Sequence, residues 1–489
     1  MKRISAVLII AVLACRAPAF ASGLSYPFFE DPLRTKPPVL EKGVILPGDS
    51  APISCTAPKD FSRPLAFDEA VDLALCNNPQ IKYSWANIKI QAGALGEARS
   101  AYLPTVSGSL NRTKDRITYP DSDVPTSDVT RTTFIGGATW RIFDFGGRSA
   151  NHRAAQNILA AALASHSATL QRALADVTQA YFDSMTAKAA LKATAESEAN
   201  AHATLTSARA REERGAISQS DRLRATTAFA NAALEHNRAY GDYQKSLAVL
   251  GQLLAVPANT VILLPDDMTV DTEEISKDLN AWLEYAQKNH PALIAARAEV
   301  EAAQEQVTVA KSAGLPTFNF ATSYYRNTRP GEAVTVREAR EYTFGVGVTI
   351  PFFDGFSNTY KIHGAQARVE QKKAELADIE IRISMELVKA YVTATYALKN
   401  LDASAALLTA AQEALTVSRR RYDKGAADIT ELLSTQSSLS TAERERIRCL
   451  AEWNSARLRL LANAGQMGRS AVHNLQENTG TGLKSVPIQ

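Results

Sequence analysis

Side chains able to do chemistry are spread through this sequence in patterns that argue against catalysis. Seven histidines occur among 489 residues, no two at a metal-ligating spacing. The His-Glu-x-x-His arrangement that would set two imidazoles and a general base on one helix face is absent. Gly345-x-Gly347 lacks a third glycine and sits in a period-two pattern, so it reads as space on a crowded strand face rather than as a phosphate cradle. No metal, no cofactor and no enzymatic activity are expected. What remains are two short polar clusters, Ser218-x-x-Asp221 and Asp428-x-x-Glu431, each just past a glycine (Gly215, Gly425) and about 210 residues apart. Each fits a reciprocal helix cap, in which the first side chain accepts an amide three residues on and the later carboxylate returns to the first amide. Capping alone would account for Asp428 and Glu431.

The cysteines speak to compartment. Lys2-Arg3, the apolar run Ile4 to Ala14 and Ala19-Phe20-Ala21 before Ser22 form an export signal, residues 1–21. Val12-Leu13-Ala14-Cys15 offers the alternative of a lipidated Cys15. In an exported chain Cys55 and Cys76, on either side of a proline-containing connection, are a disulfide candidate. The other reading is two small buried thiols. Cys449 has no partner left and reads as a packing residue.

The elements that carry these clusters are duplicated. Tyr342, Phe344, Val346, Val348 and Ile350 alternate with Thr343, Gly345, Gly347 and Thr349, a strand with one apolar and one small, polar face. With Phe318 to Tyr325 it forms a hairpin, 315–354. Leu103-Pro104-Thr105 and Phe143-Asp144 repeat Leu315-Pro316-Thr317 and Phe353-Asp354, placing a second hairpin at 103–144. Repeat 1 spans 65–255 and repeat 2 spans 281–464. An arm at 22–64, a surface linker at 256–280 and a polar tail at 465–489 complete the chain. Within each repeat a short helix ends before Asn-Pro or His-Pro (Pro79, Pro291), and a helix of about 23 residues leads to the hairpin. After the hairpin, Asp144-Phe145-Gly146-Gly147 or Asp354-Gly355-Phe356-Ser357 opens an unbroken helix of about 68 residues, roughly 100 Å long. A return helix of about 36 residues follows the glycine turn. Such rods need a bundle or coiled-coil setting to bury their stripes.

Net charge is +3 with 45% apolar residues, and the charges are interspersed, so no nucleic-acid partner is implied. No apolar run reaches the roughly 18 residues of a membrane helix, so any membrane passage must use strands. Four strands of about 10 residues can cross a bilayer at a tilt but cannot close a barrel, and open edges are not tolerated in lipid. Three copies would supply twelve strands, an even number of the kind such barrels use.

The motifs Ala74-Leu75-Cys76-Asn77-Asn78-Pro79, Leu103-Pro104, Phe143-Asp144-Phe145-Gly146-Gly147 and Tyr422-Asp423-Lys424-Gly425, in this duplicated order of elements, resemble the TolC-like outer-membrane channel proteins of export and efflux systems. The resemblance runs from about Leu65 to Ala464. It implies a mainly α fold with a small β part: a duplicated long α-helical hairpin barrel with four transmembrane β-strands per chain, completing a shared β-barrel in a homotrimer. The implied setting is the outer membrane, in contact with its lipid and spanning into the periplasm. The implied partners are a periplasmic adaptor (membrane fusion) protein and an inner-membrane ABC or proton-driven pump. Cys55, Cys76 and the surroundings of Asn77-Asn78-Pro79 resemble channels of one-step, type I toxin secretion, such as the adenylate cyclase toxin exporter. Small-molecule or drug efflux is the alternative, and a secreted coiled-coil scaffold a distant one that leaves the strands unexplained.

The same resemblance implies a gate at the far turns. Members close the tunnel with acidic side chains beyond the second glycine turn and with bonds from a nearby Tyr and Arg; Tyr422, Gly425, Asp428 and Glu431 fall at those places. Ser434 stands where a second acid would be expected and Ala427 where an Arg would be, leaving Arg421 as the candidate ion-pair donor. Arg211, Arg214, Gly215 and Asp221 at the first turn, with Gly425 at the second, are candidate adaptor contacts. The plainer reading of the first-turn charges is a solvated face.

Overall fold

The computed structural model describes residues 31–468 apart from 48, 50, 54, 56–60, 62, 119, 121–122, 124–125, 267–277 and 329–337. The export signal, Cys15 and the end of the tail lie outside the described residues. In chain order the elements are α1 (Val39–Lys42), α2 (Phe67–Asn77), α3 (Pro79–Ser100), β1 (Thr105–Ile117), β2 (Ser127–Phe143), α4 (Gly147–Glu213) and α5 (Gln219–Leu253). The second repeat follows as α6 (Leu279–Asn289), α7 (Pro291–Ser312), β3 (Thr317–Thr328), β4 (Glu338–Thr349), α8 (Ser357–Asp423) and α9 (Ile429–Asn463). Both long rods are 67 residues and both return helices 35, so each long helix runs roughly 100 Å.

Local chemistry sets the breaks. Proline opens α3 and α7, where its missing N–H is no loss. Asn78 caps α3 by accepting from the Gln80 amide, and His290 Nδ1 does the same for the Ala292 amide of α7. Buried Asp144 and its counterpart Asp354 accept the amides of Arg148 and Asn358, starting the two rods. Arg148 also donates to the carbonyls of Arg141 and Ile142, tying the rod to the end of β2.

The four strands form one antiparallel sheet in the order β1-β2-β3-β4. The two hairpins join through β2 and β3, with Ala138 opposite Thr322 and Gly136 opposite Tyr324. A register shift between Arg141 and Phe143 bends the base of β2. The strands are longer than the expected ten residues: β2 alone has 17. Both outer strands, β1 and β4, are left with an open edge in the single chain.

The helices pack in a layer, α4 against α3 and α5 of its own repeat and against α7 and α9 of the other. By the duplication, α8 should likewise touch a copy of α3 and α5. Its substantial contacts are α6, α7 and α9 alone. Consequently α4 buries 23 side chains and α8, its equal in length, only 10. On α8, Tyr360, Ile381, Met385 and Tyr396 stay exposed, as do Tyr83 and Ile90 on α3.

The largest core gathers Leu170, Leu174, Val177 and Tyr181 of α4 with α2 and with the supposed periphery. Of the 256–280 segment expected to be a surface linker, 267–277 lie outside the described residues; in the part that is described, Ile262 and Leu264 are buried in that core. The amide of Leu65 donates to the Leu263 carbonyl, and Lys188 Nζ donates to the Leu264 carbonyl at 2.6 Å and to Asp266 at 2.6 Å. Pro265 and Asp266 suggested solvent, but the two apolar residues before them alternate inward. The start of the tail also differs from expectation. Met467 is fully buried, exchanging two hydrogen bonds with the side chain of Gln171. The arm is held by Arg99, which donates to the Leu33 and Arg34 carbonyls.

Cys55 and Cys76 are joined in a disulfide, pinning the arm to the end of α2, while Cys449 is buried and free. A closure spanning 21 residues restricts the unfolded chain by about 3 kcal/mol. Changing both cysteines to serine is expected to lower the thermal midpoint of the purified protein by several degrees. Reduction should do the same to the wild type and nothing to the variant.

Candidate functional site

The two helical hairpins turn at Gly215 and Gly425, both in the left-handed region (φ 75° and 72°). Each turn is closed in the same way. The amides of Gly215 and Ala216 donate to the Glu212 and Arg211 carbonyls, and those of Gly425 and Ala426 to the Tyr422 and Arg421 carbonyls. Only a residue without Cβ takes this backbone at low cost.

After the turns the copies diverge. Ser218 and Asp221 form the full reciprocal cap. Asp428 accepts from the Glu431 amide at 2.7 Å, but the Glu431 carboxylate does not return. It pairs instead with Arg421 at 2.8 Å. This corrects the expectation of two equal boxes. The Asp428 carboxylate repels a second carboxylate brought back to the Asp428 amide, and Arg421 offers an opposite charge.

Arg211 holds in the first repeat the place Arg421 holds in the second, and Asp221, engaged in the cap, leaves it free of that partner. Arg211 crosses to the other hairpin. Its guanidinium lies 4.4 Å from the Tyr422 ring centroid, donates to the Tyr422 carbonyl at 3.1 Å and approaches Asp423 at 3.6 Å. Tyr422 is 4% exposed, packed with Leu205, Ala208, Ala225, Ile429 and Leu432. Its hydroxyl has no hydrogen-bond partner, and burial raises its pKa. A second bridge runs from Arg224 to the Thr430 hydroxyl at 2.9 Å. Arg214 is exposed at the end of α4.

Thus the structure brings Arg211 to Tyr422 and Arg421 to Glu431, and leaves Asp428 as a cap. Arg224, Thr430 and the Glu212–Arg222 pair at 2.7 Å were not among the expected site residues. The duplication register held the signal for Arg224, which occupies the place of Ser434 in the other copy.

At the opposite end, the sheet has two unlike faces. The pairing puts Val106, Leu110, Phe134, Trp140, Phe320, Tyr324, Tyr342, Phe344 and Val346 on one face. Phe344 and Val346 are 74% and 68% exposed, an apolar band with nothing over it. The other face carries Thr105, Ser107, Ser109, Thr133, Thr139, Ser323, Thr343 and two glycines of β4. Where strands meet helices, Phe352, Phe353 and Phe356 are also exposed. Among the described residues no helix is long and apolar enough to cross a membrane, whereas this ribbon has the outward apolar band and aromatic rim of a barrel wall.

A family model described as "Outer membrane efflux protein" matches residues 70–256 and 282–466, one match per repeat. The chain belongs to the outer membrane efflux protein family. Protein CyaE of Bordetella pertussis is 34% identical over 438 residues, covering 89% of this chain and 91% of that protein. The outer membrane efflux protein BepC of Brucella suis is 23% identical over 395 residues, covering 80% and 83%. Among solved structures, the outer membrane protein VceC from Vibrio cholerae superposes with a TM-score of 0.71 at 18% identity, covering 82% of this chain and 96% of that one. Membership makes this family chain an outer-membrane channel protein rather than an enzyme, with its sheet in the membrane and its rods in the periplasm.

Proposed function

We propose that three copies of this chain close a twelve-stranded barrel and a helical tunnel beneath it, and that the tunnel conducts protein cargo out of the cell in a type I secretion system. The observation that carries the assembly is the inequality of α4 and α8. Two rods of equal length and matched sequence bury 23 and 10 side chains, and the deficit falls where a sister chain's α3 and α5 would lie. The same closure pairs the open edges of β1 and β4, which lipid would otherwise leave without hydrogen-bond partners.

The tip is the gate. Arg211 on Tyr422 and Arg224 on Thr430 hold the second hairpin against the first, and opening requires these contacts to part. The exposed turn residues Arg214, Gly215 and Gly425, with Asp221 beside them, form the surface offered to a periplasmic adaptor, which couples the channel to an inner-membrane ABC or proton-driven pump.

Protein secretion is preferred because identity to CyaE stands at 34% against 23% for BepC, together with the resemblance of the Cys55–Cys76 region to toxin-exporting channels. Small-molecule efflux is the second reading, favoured by the name of BepC. Deleting the gene and comparing secreted proteins with antibiotic uptake separates them. Loss of a large protein from the medium, with its retention inside the cell, supports secretion. Unchanged secreted protein with raised antibiotic accumulation would replace it by efflux.

A further inference from the structure

We propose that the outward face of the strand ribbon ends, on its extracellular side, in a cationic collar that binds the phosphate groups of the outer leaflet's anionic glycolipid. It rests on the reading of the apolar face as the one in contact with lipid. Above Val106 and Leu110 on that face of β1, the next three positions are Arg112, Lys114 and Arg116, all exposed. Above Tyr324 on β3 and Tyr342 on β4 come Arg326 and Arg340, directly opposite each other and exposed.

Among the described residues of these strands, two carboxylates share this strip. Glu338 bonds both Arg326 and Arg340, at 2.8 and 2.6 Å, and Asp128 stands 4.0 Å from Arg116. Among the described residues no acid pairs with Arg112 or Lys114. The excess of positive charge belongs to the outward face alone: at the same height the inner face pairs Arg131 with Asp115 and adds Glu341. The periplasmic end of the outward face carries Trp140, Phe143 and Phe318 and no charge. A strip that is aromatic towards one leaflet and cationic towards the other fits a bilayer whose outer headgroups carry phosphate, to which Arg offers paired donors and Lys a point charge.

Charging an edge strand against aggregation would explain Lys114 on β1, but Arg326 lies on β3, which has neighbours on both sides. When copies close the barrel, the β4 edge of one meets the β1 edge of the next. Arg340 and Arg326 of one copy then approach Arg112, Lys114 and Arg116 of its neighbour, giving one cluster per junction.

The test uses full-length protein in nanodiscs titrated with lipid A carrying two phosphates, with dephosphorylated lipid A, and with inorganic phosphate as competitor. A cation beside an anionic surface is worth about fivefold in binding. Combined Arg112→Gln, Lys114→Gln and Arg116→Gln should therefore weaken lipid A binding about a hundredfold, leaving single-channel conductance unchanged. The wild type alone should prefer the phosphorylated lipid by at least tenfold, a comparison that needs no variant. Equal binding of both lipids, wild-type affinity in the triple variant, or full displacement by millimolar inorganic phosphate would overturn the collar while leaving the conduit intact. Absence of any channel from wild-type protein would instead overturn the reading beneath it.

Discussion

Arg211→Ala is expected to raise single-channel conductance several-fold in planar bilayers and to sensitise cells to large antibiotics that the closed tip excludes. The guanidinium contributes in three ways. Stacked on a buried ring it is worth about 1–2 kcal/mol. Its bond to the Tyr422 carbonyl adds about 1 kcal/mol. The contact with Asp423, which is 63% exposed, adds little against solvent screening. About 2 kcal/mol per chain acts three times on one opening in the proposed trimer. Moving a two-state equilibrium from 1:99 to 99:1 takes about 5.5 kcal/mol, so loss of all three latches is enough to invert the gate. Arg211→Lys keeps the charge but not the planar stack and should be intermediate. Tyr422→Phe keeps the ring and deletes a hydroxyl without a partner, so it should conduct like the wild type. Wild-type currents from Arg211→Ala, or an open channel from Tyr422→Phe, would sink this assignment.

The rods, turns and hairpins were legible because each rests on a local rule: proline at the first helical turn, glycine at φ near 75°, and period two on β4. Compartment made Cys55 and Cys76 a disulfide candidate beside the reading of two buried thiols, and the structure joins them. The side of the tip that matters was harder to see. Arg211 and Arg421 occupy equivalent places, and what sends one across to Tyr422 and the other to Glu431 is whether Ser218 or Asp428 starts the next helix. That choice depends on a carboxylate's competing partners in space, and spacing carries no trace of it. Ile262 and Leu264 were hidden for a related reason. Only two apolar residues face inward, too short a run to show a period, beside a proline and acids that signal a loop. Arg112, Lys114 and Arg116 fall on the face of Leu110 by period two alone, but that this is also the face of Arg326 needed the register from β1 through β2 to β3.

Ile90→Glu and Ile381→Glu, made separately, are expected to abolish the heat-modifiable trimer in outer-membrane fractions while leaving the helical content of the chain intact. In a lone chain neither change should matter. Ile90 on α3 is 65% exposed and Ile381 on α8 is 67% exposed, and surface substitutions of that kind shift stability within about 0.5 kcal/mol. The duplication says otherwise for the assembly. Ile90 corresponds to Ala302 of α7, which is 4% exposed between the two rods. Ile381 corresponds to Gln171 of α4, which is 5% exposed beneath Met467. The counterpart of Met467 in the first repeat is Pro257, so a sister chain's segment around Pro257 should cover Ile381 as Met467 covers Gln171. A carboxylate introduced at either place is then buried without a partner, at a cost of several kcal/mol, and the symmetry repeats it at every junction. Ile90→Ala, which restores the residue found in the second repeat, should leave the trimer in place. Normal trimers from both glutamate variants would mean that α3 and α8 face water in the working channel, and the inequality of the two rods would need another cause.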